Sequence, residues 1–148
     1  MNKNRGYFGI GVYRIKNELN IGTLWRTANI FKASFIYTIG KRYKNQSSDT
    51  MKTTKHIPIY HYIDFEDFYN HIPSDCRLVG IEMAEDARNI IDYIHPERAI
   101  YLLGAEDNGL PSEIINRCHD LIMIPGAHSL NVSTAGSIVI YDRILKIS

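Results

Sequence analysis

With 148 residues, 45% apolar and 22% charged, the chain has the composition of an ordinary soluble globular domain with enough length for one core. No apolar run reaches the roughly 18 residues of a membrane span, and the opening MNKNRGYFGIGVYR lacks a signal peptide's apolar stretch. Net charge is +1, yet residues 1–55 hold 11 Lys and Arg against Glu18 and Asp49, while residues 56–148 hold 6 against 14 acids. A basic half on a near-neutral chain fits a polyanionic partner; the alternative is chance asymmetry of a solvated surface. Cys76 and Cys118 are far apart and make no metal spacing. They read as reduced thiols, and a cytoplasmic location is expected. His56 and His61 lack partners at metal spacing, so no metal is expected.

Tyr7 to Tyr13 predicts a buried opening strand. Gly9, Gly11 and Arg14 do not complete a dinucleotide fingerprint, and no P-loop or nucleophile elbow occurs. After a turn from Arg14, a helix is expected from Asn20, its N-cap, to about Lys32. Leu24, Ala28 and Phe31 share its apolar face, and Arg26 sits about two turns from the cap. Phe35 to Ile39 reads as the second strand, closed by Gly40. Lys41 to His56 is long, polar and basic, with Tyr43 among the cations. Such a loop suits phosphate binding and base stacking, against plain disorder.

Ile57 to Tyr62 is a short strand weakened by Pro58. Asp64 to His71 predicts a short helix with acids in its first turn. Arg77 to Glu82 is a strand, Asn89 to Ile94 a short helix, and Ala99 to Leu103 a buried strand. Pro111 suits the first turn of a helix ending near Cys118. Leu121 to Ile124 is the last strand, and a long helix follows from Asn131. Its apolar positions Val132, Ala135, Ile138, Val139, Tyr141, Ile144 and Leu145 exceed one stripe, so it is either deep in the core or at a subunit interface. Gly136 and Ser137 are expected to admit another backbone. Strands alternating with helices predict an α/β fold with a largely parallel sheet flanked by helices.

Ligands of such sheets sit beyond the carboxyl ends of the strands. The loops at Glu82–Met83, Gly104 to Gly109 and Pro125 to Leu130 qualify, and together they suggest a cofactor held by backbone and apolar walls. Ser129, Asn131 and Ser133 crowd polar groups at a helix start, which reads either as N-capping or as a ligand site. Glu106 reads equally as a structural acid tied to backbone N–H groups.

Three blocks resemble the signature motifs of the SpoU/TrmH branch of the SPOUT methyltransferases. They are Asn20-x-Gly22-x-x-x-Arg26, Gly104-x-Glu106-x-x-Gly109-Leu110-Pro111, and Ile124-Pro125 followed by Ser129-Leu130-Asn131-Val132-Ser133. The resemblance implies an S-adenosylmethionine-dependent RNA methyltransferase acting on a ribose 2′-hydroxyl. It also implies a SPOUT-type fold with a C-terminal trefoil knot, and a homodimer. Residues 1–148 are expected to form a single SPOUT methyltransferase domain without a separate RNA-binding extension. The substrate expected is tRNA, with ribosomal RNA as runner-up; a non-catalytic RNA-binding protein on the same fold is the other reading. No membrane partner is expected.

Matched to the family's motifs, Asn20, Arg26, Glu106, Ser129 and Asn131 are the implied catalytic-site positions. Glu82, Met83, Leu103, Gly104, Glu106, Gly109, Ile124, Ser129 and Leu130 are the implied cofactor-binding positions. Arg26, Lys41, Arg42, Lys44, Lys52 and Lys55 are the expected RNA contacts. A guanidinium does not readily lose its proton, so Arg26 is expected to hold a phosphate or stabilise developing oxyanion charge, positioned by Asn20 and Glu106. Only Gly126, Ala127 and His128 separate Ile124-Pro125 from Ser129. Many members have a longer loop there, a departure that bears on the adenine pocket and the knot crossing.

Overall fold

The computed structural model of the chain describes residues 6–43, 52–106, 108–126 and 128–147. Its first strand, β1 (Tyr7–Tyr13), leads into helix α1 (Glu18–Ile30), then β2 (Phe35–Ile39), β3 (Ile59–Tyr62) and α2 (Phe65–Asn70). There follow β4 (Arg77–Ile81), β5 (Arg88–Asn89), β6 (Arg98–Leu103), α3 (Ser112–Ile115), β7 (Asp120–Met123) and α4 (Val132–Ile147). The strands form one sheet in the order β3-β2-β1-β6-β4-β7-β5, with every pairing parallel. All carboxyl ends therefore share one edge of the sheet.

Helices cover both faces, which is why β2 is buried at every position, Thr38 included, and β6 at every position after Arg98. Alternate residues serve opposite faces. Tyr101 and Leu103 join Leu24, Trp25, Val139 and Ile140 in one core; Ile100 and Leu102 join Phe68, Leu110 and Ile114 in the other. Strand β3 begins at Ile59 rather than Ile57. Pro58 has no N–H for a ladder, and only its carbonyl is used, accepting from Ile36 N–H at 3.0 Å.

Helix α1 starts earlier than the sequence suggests. Asn17, not Asn20, is its N-cap, with Oδ1 accepting from Leu19 N–H at 3.1 Å. This frees the Asn20 side chain for a tertiary role. The helix expected over Asn89 to Ile94 is instead strand β5 followed by a 3-10 turn, Ile90–Asp92. So few residues before Pro96 cannot repay helix nucleation, whereas Arg88 and Asn89 gain ladder partners in Ile122 and Met123. Helix α3 is a single turn ending at Ile115, not near Cys118, and Pro111 precedes it as its cap.

The distal end of α4 is fastened to the amino edge of the sheet. Buried Arg143 donates to the carbonyls of Pro96 at 2.6 Å and Glu97 at 2.7 Å, and to the Tyr101 hydroxyl at 3.1 Å. His95 bridges the Tyr101 hydroxyl and Asp142, each at 2.7 Å. Burial lowers its pKa, and Asp142 opposes that only in part. The helix start is thereby held at the carboxyl edge. Gly136 lets α1 come close to α4, as expected of a glycine there. A Cβ there would lie 2.5 Å from Leu24 Cδ1, so it serves close packing of α4 on α1 within one chain. Ser137 Oγ likewise lies 3.1 Å from Thr27 Oγ1 of α1.

Candidate active site

A cavity of about 240 Å³ opens at the carboxyl ends of β4 and β6, walled by their last residues, by the 104–110 loop and by the start of α4. Ile81, Leu103, Ile124, Leu130, Val132 and Ala135 supply its apolar lining. Each expected cofactor position, Glu82, Met83, Leu103, Gly104, Glu106, Gly109, Ile124, Ser129 and Leu130, lies on its wall. Ala105 and Asn108 also line it and had no signal in the sequence beyond lying between Gly104 and Gly109.

The 104–110 loop is shaped by close backbone approach. A Cβ on Gly104 would lie 2.4 Å from Gly109 C and 2.5 Å from Leu110 N. Gly109 has φ +61, and a Cβ there would meet the Glu82 carboxylate at 2.2 Å. Glu82 accepts from Leu110 N–H at 2.7 Å and from Met83 N–H at 3.2 Å, so it braces this loop from the neighbouring strand end.

Along the rim, the three motif segments meet in one hydrogen-bonded chain. Ser133 N–H and Oγ–H donate to Asn131 Oδ1 at 2.9 and 2.7 Å. Asn131 Nδ2 donates to Asn20 Oδ1 at 3.0 Å, and Asn20 Nδ2 donates to Glu106 Oε1 at 3.4 Å. A backbone N–H only donates and a carboxylate only accepts, so the two ends fix both amide orientations. The other Glu106 oxygen accepts from Lys16 N–H at 3.2 Å. Asn131 thus caps α4, and its amide nitrogen also reaches across to α1.

Arg26 lies apart from this chain. It is exposed on α1 and makes no hydrogen bond or ion pair among the described residues. Six residues along a helix turn Asn20 inward and Arg26 outward, so no hydrogen bond joins them here. Ser129 is exposed at the cavity. Of the basic loop, Lys41 lies 3.7 Å from Glu18 and 5.3 Å from the centre of the Tyr43 ring. Tyr43 is anchored by donating to Ile15 O at 2.7 Å. Arg42 is exposed near His61, whose pKa is lowered by burial and then by the Arg42 charge. Lys52 and Lys55 bound a 3-10 turn beside α1, and Lys44 lies outside the described residues. Among the described residues no three His, Cys, Asp or Glu side chains converge as metal ligands, and no helix is long and apolar enough to cross a membrane.

Fold and site together define an α/β protein with a ligand cavity at the carboxyl edge of a parallel sheet. The chain belongs to the SpoU rRNA methylase family, whose model matches residues 8–141. An AdoMet-bound rRNA methyltransferase from Sinorhizobium meliloti superposes with a TM-score of 0.84 at 25% identity, over 97% of this chain and 57% of that one. A structure described as giving insights into the 2-OH methylation of C/U34 on tRNA superposes with a TM-score of 0.83 at 19% identity, over 96% of this chain and 97% of that one. The tRNA (guanosine(18)-2'-O)-methyltransferase TARBP1 of Mus musculus is 29% identical over 68 residues, 44% of this chain and 4% of the mouse protein. This chain thus spans a small part of that curated relative.

Proposed function

We propose that this protein is an S-adenosylmethionine-dependent RNA methyltransferase that modifies a ribose 2′-hydroxyl of tRNA. The observation that carries the reading is the chain Ser133–Asn131–Asn20–Glu106, which gathers all three motif segments at the rim of one cavity. The cavity suits the cofactor: apolar walls and backbone for an adenosine, with the Glu82 and Glu106 carboxylates for positive charge. Bound there, the cofactor supplies an electrophilic methyl group on a sulfonium. The tRNA preference draws on the mouse relative's name and on the fold shared with the C/U34 structure. Residues 1–148 act in this reading as one cytoplasmic methyltransferase domain, with the family's trefoil knot formed where the 104–110 and 124–131 loops meet.

The substrate hydroxyl needs orientation, stabilisation of its developing negative charge, and an acceptor for its proton. Ser129 and Asn131 shape the place where the ribose meets the cavity. Arg26, always charged, grips the adjacent phosphate or the oxyanion; phosphate or water takes the proton. Calorimetric titration with S-adenosylhomocysteine, beside transfer of labelled methyl to total RNA, tests the reading. Binding with transfer is expected. Binding without transfer favours a silent RNA-binding protein, and neither result leaves the cavity without its proposed ligand.

A homodimer completes the proposal. Thr27, Phe31, Ile138, Tyr141 and Leu145 line an apolar groove between α1 and α4, and Tyr141 and Leu145 are more than half exposed. Arg26 is exposed on α1 between Thr23 and Thr27, which line this groove, so a partner chain seated there lies beside it. Sedimentation at micromolar concentration should show a dimer without RNA, and a monomer alone contradicts this. The basic loop yields a separate expectation. Neutralising Lys41, Arg42, Lys44, Lys52 and Lys55 together should weaken RNA binding and flatten its salt dependence while sparing cofactor affinity. An unchanged slope removes the loop from the RNA site.

A further inference from the structure

We propose that Arg14 is a phosphate-binding residue for the substrate RNA at the carboxyl edge of the sheet, one strand from the cavity; the inference rests on the RNA reading above. Arg14 follows β1 directly, at the carboxyl edge of the sheet. Its φ is +51, a left-handed backbone that few residues other than glycine adopt. Its N–H donates to Ile39 O at 3.2 Å, so the ends of β1 and β2 hold it in that conformation.

The side chain leans toward the end of β2. At Gly40, with φ +82, a Cβ would lie 2.6 Å from Arg14 Nε and 2.8 Å from its Cγ. The arginine stem therefore lies against the bare backbone of Gly40. On another side its guanidinium carbon is 5.8 Å from the centre of the Tyr13 ring. Yet Arg14 is exposed, and among the described residues its guanidinium has no carboxylate partner. The nearby acids are already engaged: Glu18 faces Lys41, and Glu106 accepts from Asn20 and Lys16. An exposed guanidinium without a carboxylate partner among the described residues leaves its planar fork open to a phosphate in bidentate geometry.

Its location fits the reaction. Two residues further on, the Lys16 N–H donates to Glu106, which lines the cavity. Between them, Ile15 O accepts from the Tyr43 hydroxyl, tying in the start of the basic loop. A ribose presented to the cavity brings its flanking phosphates to this edge. Arg14 thus contributes from the chain that forms the cavity, in contrast to Arg26 on the outer face of α1.

The competing role is purely structural, with Arg14 serving as packing for Tyr13 and Gly40. Arg14→Gly separates the two, because glycine adopts the positive φ without strain. With bulk tRNA as probe, Arg14→Gly and Arg14→Gln should bind roughly three- to tenfold more weakly, with the salt slope reduced by about 0.7. Affinity for S-adenosylhomocysteine and the melting temperature of Arg14→Gly should be maintained. Arg14→Lys should fall between, since it keeps the charge and loses the fork. Wild-type tRNA affinity and slope in both Arg14→Gly and Arg14→Gln overturn the inference and leave the methyltransferase reading standing. A wild-type protein that binds S-adenosylhomocysteine but no RNA overturns both.

Discussion

Replacing Arg26 by alanine should leave the fold and S-adenosylhomocysteine affinity intact while methyl transfer falls roughly a hundred- to ten-thousand-fold. The fold is expected to tolerate the change because Arg26 is exposed and contributes no hydrogen bond or ion pair among the described residues. A surface arginine with no functional role predicts the opposite: normal turnover and a stability change within about 1 kcal/mol. Arg26→Lys should rescue little, because an ammonium lacks the planar fork that grips a phosphate. Asn131→Ala should differ in kind. It removes the acceptor of Ser133 and the donor to Asn20 at the cavity rim, so cofactor affinity should fall along with turnover. Calorimetry with S-adenosylhomocysteine and single-turnover methylation, run on both variants, separate these effects. Near-normal turnover in Arg26→Ala removes Arg26 from the reaction.

Gly104→Ala should disable the cavity itself. The new Cβ would meet backbone atoms of Gly109 and Leu110, which have no rotamer to escape into. Either the 104–110 loop shifts, or the Leu110 N–H leaves Glu82. Stability should drop by about 1–3 kcal/mol, as for other overpacked sites. Cofactor affinity should fall at least about tenfold, since each tenfold requires only about 1.4 kcal/mol. Gly126→Ala is the control. Its Cβ would find nothing nearer than His128 O at 3.7 Å, so stability should hardly change. Urea unfolding and calorimetry on the pair decide it; equal behaviour of the two variants contradicts the steric account.

The strands were legible because a parallel sheet covered on both faces demands largely apolar runs, and β1, β2 and β6 have them, broken only by Thr38 and by Arg98 at the start of β6. Helix α2 was legible from local chemistry, with Asp64 accepting from Asp67 N–H at its start. Where competing signals lay close together, local reading failed. Asn17 and Asn20 both suit an N-cap, and only the tertiary bonds to Glu106 and Asn131 reveal which one is released. Strand β5 depends on pairing with β7, which lies more than 30 residues away in sequence, and no local pattern carries that.

The site shows the same division. The apolar and glycine positions of the cavity follow from strand ends and tight loops, and they converge as the motif spacing implied. The relation of Arg26 to the other catalytic positions does not follow, because helical phase turns it away from Asn20. Arg14 was passed over as a failed fingerprint residue. Its significance lies in two left-handed residues on neighbouring strand ends, Arg14 and Gly40, 26 positions apart in sequence.

The most direct measurement concerns which atom receives the methyl group. RNA labelled by the protein from methyl-labelled S-adenosylmethionine can be hydrolysed in alkali, where a methylated 2′-oxygen cannot attack its neighbouring phosphate. Label recovered in alkali-resistant dinucleotides is the expected result, lost in Arg26→Ala. Label confined to mononucleotides would place the methyl group on a base and contradict ribose methylation.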